Sequence, residues 1–195
     1  MAEVIKVIGK NAFVQVFEST RGMRVGDEAE FEGHMLEVTL GPGMLSRNYD
    51  GLQNDLDKME GVFLRRGEYT FPLDNDKLWD FKPLAKVGDK VTAGGWLGEV
   101  DENFQPHKIM VPFTFKGEYT VKSLKEAGQY TIGEVIAVLT DEAGKDVEVT
   151  MIQRWPVKRA ITCYKEKPRP YKLLETGVRT IDTANPICLL YTSDA

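Results

Sequence analysis

The amino-acid sequence predicts a mainly β protein, and three observations carry that prediction. Short runs of β-branched and aromatic residues recur along the 195 residues, separated by turns rich in glycine, of which there are 18. A glycine–acid turn pattern precedes several of these runs. In the first half of the chain, helical spacing of apolar residues is confined to one stretch, 45–59.

The first predicted element is a β-hairpin. Residues 4–8, VIKVI, and 12–17, AFVQVF, are separated by the turn Gly9-Lys10-Asn11. The next strand is predicted over 34–40, HMLEVTL, in which apolar and polar residues alternate. The segment Gly41-Pro42-Gly43 ends it, because proline donates no hydrogen bond to a ladder and glycine permits unusual φ angles.

The middle of the chain predicts a compact β unit. Residues 45–59 precede it, and Asp50-Gly51 interrupts their helical spacing, so one or two short helical turns are predicted there. Residues 65–82 are polar, aromatic and turn-rich, which indicates a boundary. Within 83–150, plausible strands lie in KVGDKV, GGWLGEV, KIMVPF, GEYTVKSL, EVIAVL and VEVTMI.

Residues 153–172 contain three prolines and predict an extended linker. A new element is predicted over 173–183, LLETGVRTIDT.

A five-residue pattern, apolar–Gly–acidic–x–apolar, occurs at 25–29, 87–91 and 132–136. Glycine supplies a turn, the carboxylate can accept from a nearby backbone N–H, and a strand follows. The irregular spacing suits a small barrel or sandwich and not a solenoid repeat.

Composition excludes several classes of function. The net charge is -5 with both signs mixed along the chain, which argues against a basic nucleic-acid-binding face. There is no apolar run long enough for a transmembrane helix and no signal peptide at the start. Two cysteines without a CxxC pair indicate a reducing cytoplasm.

The sequence contains no recognisable active-site motif. P-loop, dinucleotide-binding, G-x-S-x-G and H-E-x-x-H patterns are all missing from these residues. His34 and His107 lack a second ligand at metal-binding spacing, so we expect surface or strand histidines. Cys163 has no activating histidine nearby and is expected to be structural. The acidic pairs expected to be solvated loop charges are Asp74/Asp76, Asp101/Glu102 and Asp141/Glu142.

A carrier domain is an alternative hypothesis. Residues 87–112 have the cadence of a biotinyl or lipoyl domain, in which a lysine at a hairpin tip is modified, and Lys108 is the candidate. The match is incomplete, because His107 and Ile109 flank the lysine where a biotinyl tip has methionines, and a lipoyl tip favours an acidic residue before it. A stand-alone β-barrel adaptor without chemistry is a third hypothesis.

Five phrases in the same order resemble the catalytic A subunit of V-type and archaeal-type rotary ATPases. Residues 40–53 resemble its LGPGLL…I-x-D-G-x-Q segment, and residues 106–112 its H-K-I-M-V-P segment. The other phrases are Arg66-Gly67 with Trp79, MIQRWPVKR at 151–159 and TGVRTIDTANPI at 176–187. The resemblance runs from about residue 3 to Ile187, with Lys158 in place of arginine and Met44 in place of leucine.

The resemblance implies a domain order. Residues 1–45 would be part of an amino-terminal β-barrel, 46–65 a connection and 66–150 a barrel-sandwich insertion called the bulge. Residues 151–187 would be a linker and the first strand of a P-loop α/β nucleotide-binding domain. Of these parts only the bulge is expected to bury a core of its own, because a partial barrel leaves strand edges unpaired. Residues 188–195, CLLYTSDA, match a translated sequencing adapter and are expected to be a non-native tail.

The resemblance also implies the parent's function. That function is ATP hydrolysis or synthesis coupled to proton or sodium movement, with ATP and Mg²⁺ as ligands. Its partners would be B subunits in an alternating A3B3 ring and the central and peripheral stalks. It would lie in the cytoplasm, with the membrane reached only through the complex and no nucleic acid bound.

We expect the chain to stop before its P-loop, so no catalytic, cofactor or metal residue is assigned and no ATP binding is expected. In 176–187, Gly177 is expected to be a turn glycine, and Arg179 and Asp182 an ion pair.

Overall fold

The structure is a computed structural model and describes residues 1–59, 67–164, 166 and 172–187. The chain divides into two compact units, Met1–Cys163 and Tyr164–Ala195. The described residues form twelve strands: β1 Ala2–Ile8, β2 Asn11–Val16, β3 Glu37–Leu40, β4 Leu78–Pro83, β5 Lys90–Val91, β6 Trp96–Glu102, β7 Gln105–Met110, β8 Tyr119–Leu124, β9 Gly128–Thr131, β10 Ala137–Thr140, β11 Asp146–Val149 and β12 Gln153–Pro156. A 3-10 turn spans Leu56–Lys58, and the second unit contains helix α1, Arg179–Ala184. The predicted mainly β fold is confirmed.

Strands β1 and β2 form the predicted antiparallel hairpin. Gly9 has a φ of +59°, the left-handed conformation that a tight hairpin turn requires. The hairpin pairs with no other strand among the described residues and closes no barrel there. Its apolar side chains therefore remain largely in contact with solvent.

Two four-stranded sheets hold the core of the first unit. Their strand orders are β11-β10-β8-β5 and β7-β6-β4-β9. One buried cluster comprises Leu73, Trp79, Phe81, Val100, Ile109, Ile132, Ile136 and Met151, and the other comprises Leu97, Val111, Val121, Ala137, Leu139 and Val149. Leu124 packs against both clusters, which joins the two sheets into one apolar interior.

Each of the six segments predicted as strands within 83–150 overlaps a strand, but β9, Gly128–Thr131, and β4 were not predicted. The case of β4 is informative. This strand lies largely in the polar stretch 65–82, where it alternates as a half-buried strand should. Trp79 and Phe81 are buried and Asp80 is exposed between them. The flanking polar and turn residues obscured this short alternation.

The predicted extended linker over 153–172 is wrong at its start, because residues 153–156 form β12. This strand pairs antiparallel with β3, with Trp155 opposite Val38. Trp155 is buried, and its indole N–H donates to the carbonyl of Arg159 at 2.7 Å. Burial of this ring fixes a strand despite the proline that ends it.

Strand β3 is shorter than predicted. The strand covers 37–40 of the predicted 34–40, and Gly41-Pro42-Gly43 ends it as expected. The one or two short helical turns predicted over 45–59 correspond to the single 3-10 turn at Leu56–Lys58.

The three glycine–acid turns share one hydrogen bond, as the pattern predicts. In each turn the carboxylate accepts from the backbone N–H three residues earlier, and in the second and third a strand follows. The bonds run from Arg24 N to Asp27 Oδ2 (2.8 Å), Lys86 N to Asp89 Oδ2 (2.7 Å) and Thr131 N to Glu134 Oε1 (2.9 Å).

The second unit departs from the implied first strand, since residues 179–184 form α1. The Asp182 carboxylate accepts from the backbone N–H and hydroxyl of Thr176 and from the N–H of Gly177 at 2.6–3.1 Å. These bonds, chiefly the one from the hydroxyl, lower the pKa of Asp182. The expected pairing of Arg179 with Asp182 is therefore wrong. Within the described ranges, no helix has the length and apolar character needed to cross a bilayer.

Replacement of Gly98 should destabilise the first unit. An alanine Cβ there would lie 2.2 Å from Cε2 of buried Phe81 and 2.8 Å from the Lys82 carbonyl oxygen. We expect Gly98→Ala to lower the free energy of unfolding by about 1–3 kcal/mol, measured by urea denaturation. The control is Gly133→Ala, where no atom lies within 4 Å. Equal midpoints for the two variants would contradict the packing described.

Candidate functional site

The carboxylate of Glu102, the last residue of β6, is one of three buried polar or charged side chains among the described residues. Its side chain is buried, with only 2% of the residue exposed. One oxygen, Oε1, accepts from the backbone N–H groups of Gly43 at 2.7 Å and Leu45 at 3.0 Å. The other, Oε2, lies 2.7 Å from Nδ1 of His107 on β7. The carboxylate thus joins the β6–β7 hairpin to the loop that follows β3.

The prediction that Glu102 is a solvated loop charge is wrong. Alternation along β6 places Val100 and Glu102 on the buried side and Asp101 on the exposed side. Two convergent backbone N–H groups then offset the cost of burying the charge. His107 is a half-buried strand histidine, as predicted.

The loop of residues 41–47, here called the clasp loop, has a backbone shaped for this contact. Gly43 has a φ of +104° and Ser46 a φ of +62°. A Cβ at Gly43 would lie 3.5 Å from Cζ2 of Trp79, so the loop rests on that indole. The hydroxyl of Ser46 accepts from the amide of Asn103 at 3.1 Å, at the tip of the β6–β7 hairpin.

A second polar network follows the clasp loop. Asp50 accepts from the N–H groups of Leu52 and Asn54 at 2.9 and 2.7 Å, and from the Asn54 amide at 2.8 Å. Burial acts to raise the pKa of Asp50, but the hydrogen bonds from Asn54 and Leu52 outweigh it and leave the pKa lowered.

Asp55 and Asn54 anchor this network to residues 70–72. The N–H of Asp55 donates to the Thr70 hydroxyl at 2.7 Å, and the N–H of Thr70 donates to the side-chain amide oxygen, Oδ1, of Asn54 at 3.0 Å. The Asp55 carboxylate is buried but lies 3.5 Å from Arg47 and 3.6 Å from Lys58. Its charge is therefore compensated within the protein.

Gln53 bonds to the free edge of β3. Its side-chain amide accepts from the N–H of Thr39 and donates to the carbonyl of the same residue, both at 2.7 Å. The glutamine itself adopts a left-handed φ of +63°. The amide thus occupies the place that a neighbouring strand would take.

The geometry does not favour a carrier domain. Lys108 lies within β7 opposite Glu99, with which it forms an ion pair, and its Nζ is 5.0 Å from the ring centre of Trp96. The hairpin tip is Asn103-Phe104 instead, so a ligase would not find a lysine there. The Lys108 amine is thus bound to the Glu99 carboxylate of the neighbouring strand. The hydrogen bond from Lys108 lowers the pKa of Glu99.

The remaining candidates have local structural contacts. His34 is exposed and Cys163 is a half-buried free thiol. Asp74 accepts from the N–H of Asp76, and Asp141 from the N–H of Lys145, as expected of loop carboxylates. Among the residues that the structure describes, no group of three or more His, Cys, Asp or Glu is placed to hold a metal ion.

Two family models match the chain in order. Residues 1–33 match the beta-barrel domain of the ATP synthase alpha/beta family, and residues 70–158 match the ATPsynthase alpha/beta subunit barrel-sandwich domain. The second match includes β4 to β12. With the strands described above, these matches show that the chain belongs to the ATP synthase alpha/beta family.

Within this family the chain is similar to V-type ATP synthase alpha chains. It is 47% identical over 189 residues to that of Treponema denticola, covering 95% of this chain and 32% of the relative. It is 47% identical to the Borrelia garinii subsp. bavariensis protein and 43% to that of Protochlamydia amoebophila, each again over 95% of this chain and covering 33% and 32% of those relatives. The resemblance inferred from the sequence is confirmed. The chain spans about a third of the length of these relatives.

The Asp50 network predicts a measurable titration. The midpoint of the Asp50 carboxyl carbon, followed by NMR, should fall below the usual aspartate value of about 3.9. Because the folded pKa is the lower one, its stabilisation is present above the unfolded value and is lost as pH falls through the folded value.

Asp50→Asn provides the matched comparison. The difference in unfolding free energy between the natural chain and this variant should shrink below about pH 4. A carboxyl midpoint at or above the usual aspartate range would contradict the hydrogen-bond assignment.

Proposed function

We propose that this chain is part of the catalytic subunit of a V-type rotary ATPase, which couples ATP hydrolysis or synthesis to proton or sodium movement. The observation that carries the proposal is the continuous similarity over 189 residues to V-type ATP synthase alpha chains. The barrel and barrel-sandwich matches occur in the same chain and in order, which supports it.

In this proposal the described residues serve assembly and shape, and the chemistry belongs to other residues of the parent subunit. Phosphoryl transfer needs a loop of backbone N–H groups and a lysine on the phosphates, with a Ser or Thr on Mg²⁺. ATP and Mg²⁺ would bind to such a loop in the parent. The residues described here would form the structural framework and contact other subunits.

The exposed hairpin β1–β2 supports a role in assembly. Four of its apolar side chains are each more than half exposed: Ile5, Val7, Ile8 and Phe13. A two-stranded hairpin is marginal alone in water, and such apolar side chains gain stability when further strands or another chain bury them. We propose that the rest of a β-barrel covers this hairpin within an alternating A3B3 ring with B subunits. Central and peripheral stalks would connect that ring to the membrane sector from the cytoplasmic side.

The domain limits that we propose follow from the similarity to V-type ATP synthase alpha chains. They are a partial barrel at 1–45, a connection at 46–65, the bulge at 66–150 and a linker with the start of the nucleotide-binding domain at 151–187. Pairing of β3 with β12 joins the first and last of these ranges. Residues 188–195 lie outside the described residues.

A chimera tests the proposal. Residues 1–187 would replace the matching segment of the Treponema denticola V-type ATP synthase alpha chain, expressed with the other subunits of that complex. We expect an assembled complex that hydrolyses ATP at a rate on the order of tenfold or less below the unmodified one, because the segment is 47% identical to the one that it replaces. Failure to assemble, or assembly without ATP hydrolysis, would contradict the proposal.

A matched variant separates this function from that of a carrier. Lys108→Arg keeps the positive charge beside Glu99 but removes the amine that a ligase would modify. In the chimera we expect Lys108→Arg to leave the rate of ATP hydrolysis unchanged. The chain with the natural lysine should have the intact mass calculated from its sequence, without an attached biotinyl or lipoyl group. The isolated chain should show no micromolar ATP binding by calorimetry, and such binding would place a nucleotide site within it.

A further inference from the structure

The contact between the clasp loop and the β6–β7 hairpin is unusually rich in strained backbone. The described residues include four non-glycine residues with left-handed φ, and three of them lie at this contact: Ser46 at +62°, Asn103 at +53° and Phe104 at +64°. Asn103 and Phe104 form the two-residue turn between β6 and β7, which requires positive φ at both positions. The conformational cost that belongs to the clasp loop itself is that of Ser46. Such outliers persist where surrounding contacts hold them, and they concentrate in segments that switch.

A second cost lies beneath the loop. The indole N–H of Trp79 is buried and has no hydrogen-bond acceptor within the part of the chain that the structure describes. Nε1 and Cζ2 are on the same edge of the indole, and Cζ2 is the atom on which Gly43 rests. A buried donor without a partner is unfavourable, and opening of the loop would give water access to it.

The start of the clasp loop is packed into the core, where Pro42 is fully buried, but few apolar contacts offset these costs from residue 43 onward. Leu45 is 49% exposed, and Met44 is only partly buried against the core cluster. From residue 43 onward the loop is held instead by Glu102, which accepts from Gly43 and Leu45, and by the bond between Asn103 and Ser46. At its end, Arg47 lies 3.5 Å from the Asp55 carboxylate. Segments fastened by a few polar bonds open locally without unfolding the core.

We propose that residues 43–47 of the clasp loop open as a unit from the barrel-sandwich sheet while Pro42 stays buried, and that Glu102 is the residue that holds them closed. The far end of the connection stays in place, because Asn54 and Asp55 remain bonded to Thr70. Opening relieves Ser46, hydrates the Trp79 indole and frees the hairpin tip, in which Asn103 and Phe104 keep the positive φ that the two-residue turn requires. That tip carries Phe104, which is 96% exposed.

Amide hydrogen exchange on the full 195-residue chain tests the proposal. In Glu102→Ala, the Gly43 and Leu45 amides should exchange about tenfold faster or more, while amides of β8 and β10 keep their natural rates. The Trp79 indole N–H should accelerate together with them. Glu102→Gln should retain most protection, because its side-chain carbonyl accepts both N–H groups.

Val100→Ala is the matched control, since it removes buried volume from the same strand without touching the loop's hydrogen bonds. It should accelerate exchange in the core strands, which Glu102→Ala should not. Acceleration of β8 and β10 by Glu102→Ala to the same degree as Gly43 and Leu45 would overturn the proposal. So would unchanged exchange at Gly43 and Leu45.

Native-state exchange of the natural chain at low urea gives a test that needs no variant. Gly43 and Leu45 should exchange through an opening that is insensitive to urea, because little surface is exposed, whereas β8 amides should follow global unfolding. If the loop amides show the same urea dependence and the same opening free energy as β8, the clasp loop does not open separately and the proposal fails.

Discussion

The arrangement of the first unit depends on the antiparallel pairing of β3 with β12. These two short strands bring residue 40 beside residue 153, so that everything between them is a loop closed at its base. Trp155 of β12 is buried and meets the ring of Phe113 edge to face at 5.7 Å. The side chain of Gln153 accepts from the N–H of Phe113 at 2.9 Å, so the base is fastened to the barrel-sandwich sheets by both apolar and polar contacts. The segment between β3 and β12 is therefore fixed at its base by this strand pair and by the contacts of Trp155 and Gln153 with Phe113.

A large part of the fold could be predicted from local pattern. The β1–β2 hairpin and the six segments within 83–150 were found because alternation and glycine turns act over short distances. The glycine–acid turns were also predictable, since the carboxylate bonds to an N–H only three residues away. What failed depended on distant partners. β12 forms because Trp155 is buried against elements far away in sequence, and the prolines around it indicated a linker.

The candidate site was missed for a related reason. Glu102 stands between Asp101 and Asn103 and resembles a turn charge in the sequence. Only its parity along β6 places it inside, and only the loop after β3, 57 and 59 residues away at Leu45 and Gly43, supplies the N–H groups that make burial tolerable. The similarity to rotary ATPase subunits can be recognised from the sequence alone, because it rests on short motifs in a fixed order and not on contacts between distant residues. A carrier domain has a similar succession of glycine turns and short strands. In the structure, the position of Lys108 within β7, away from the hairpin tip, separates the two.

The side-chain amide of Gln53 affects how β3 can associate with another chain. An unpaired strand edge presents alternating donors and acceptors that another chain can use as a template. At Thr39 both groups are already taken by one glutamine side chain, so an incoming strand would have to displace it. The Gln53 side chain thus blocks strand addition at the edge of β3, although the strand carries neither an added charge nor a proline for that purpose.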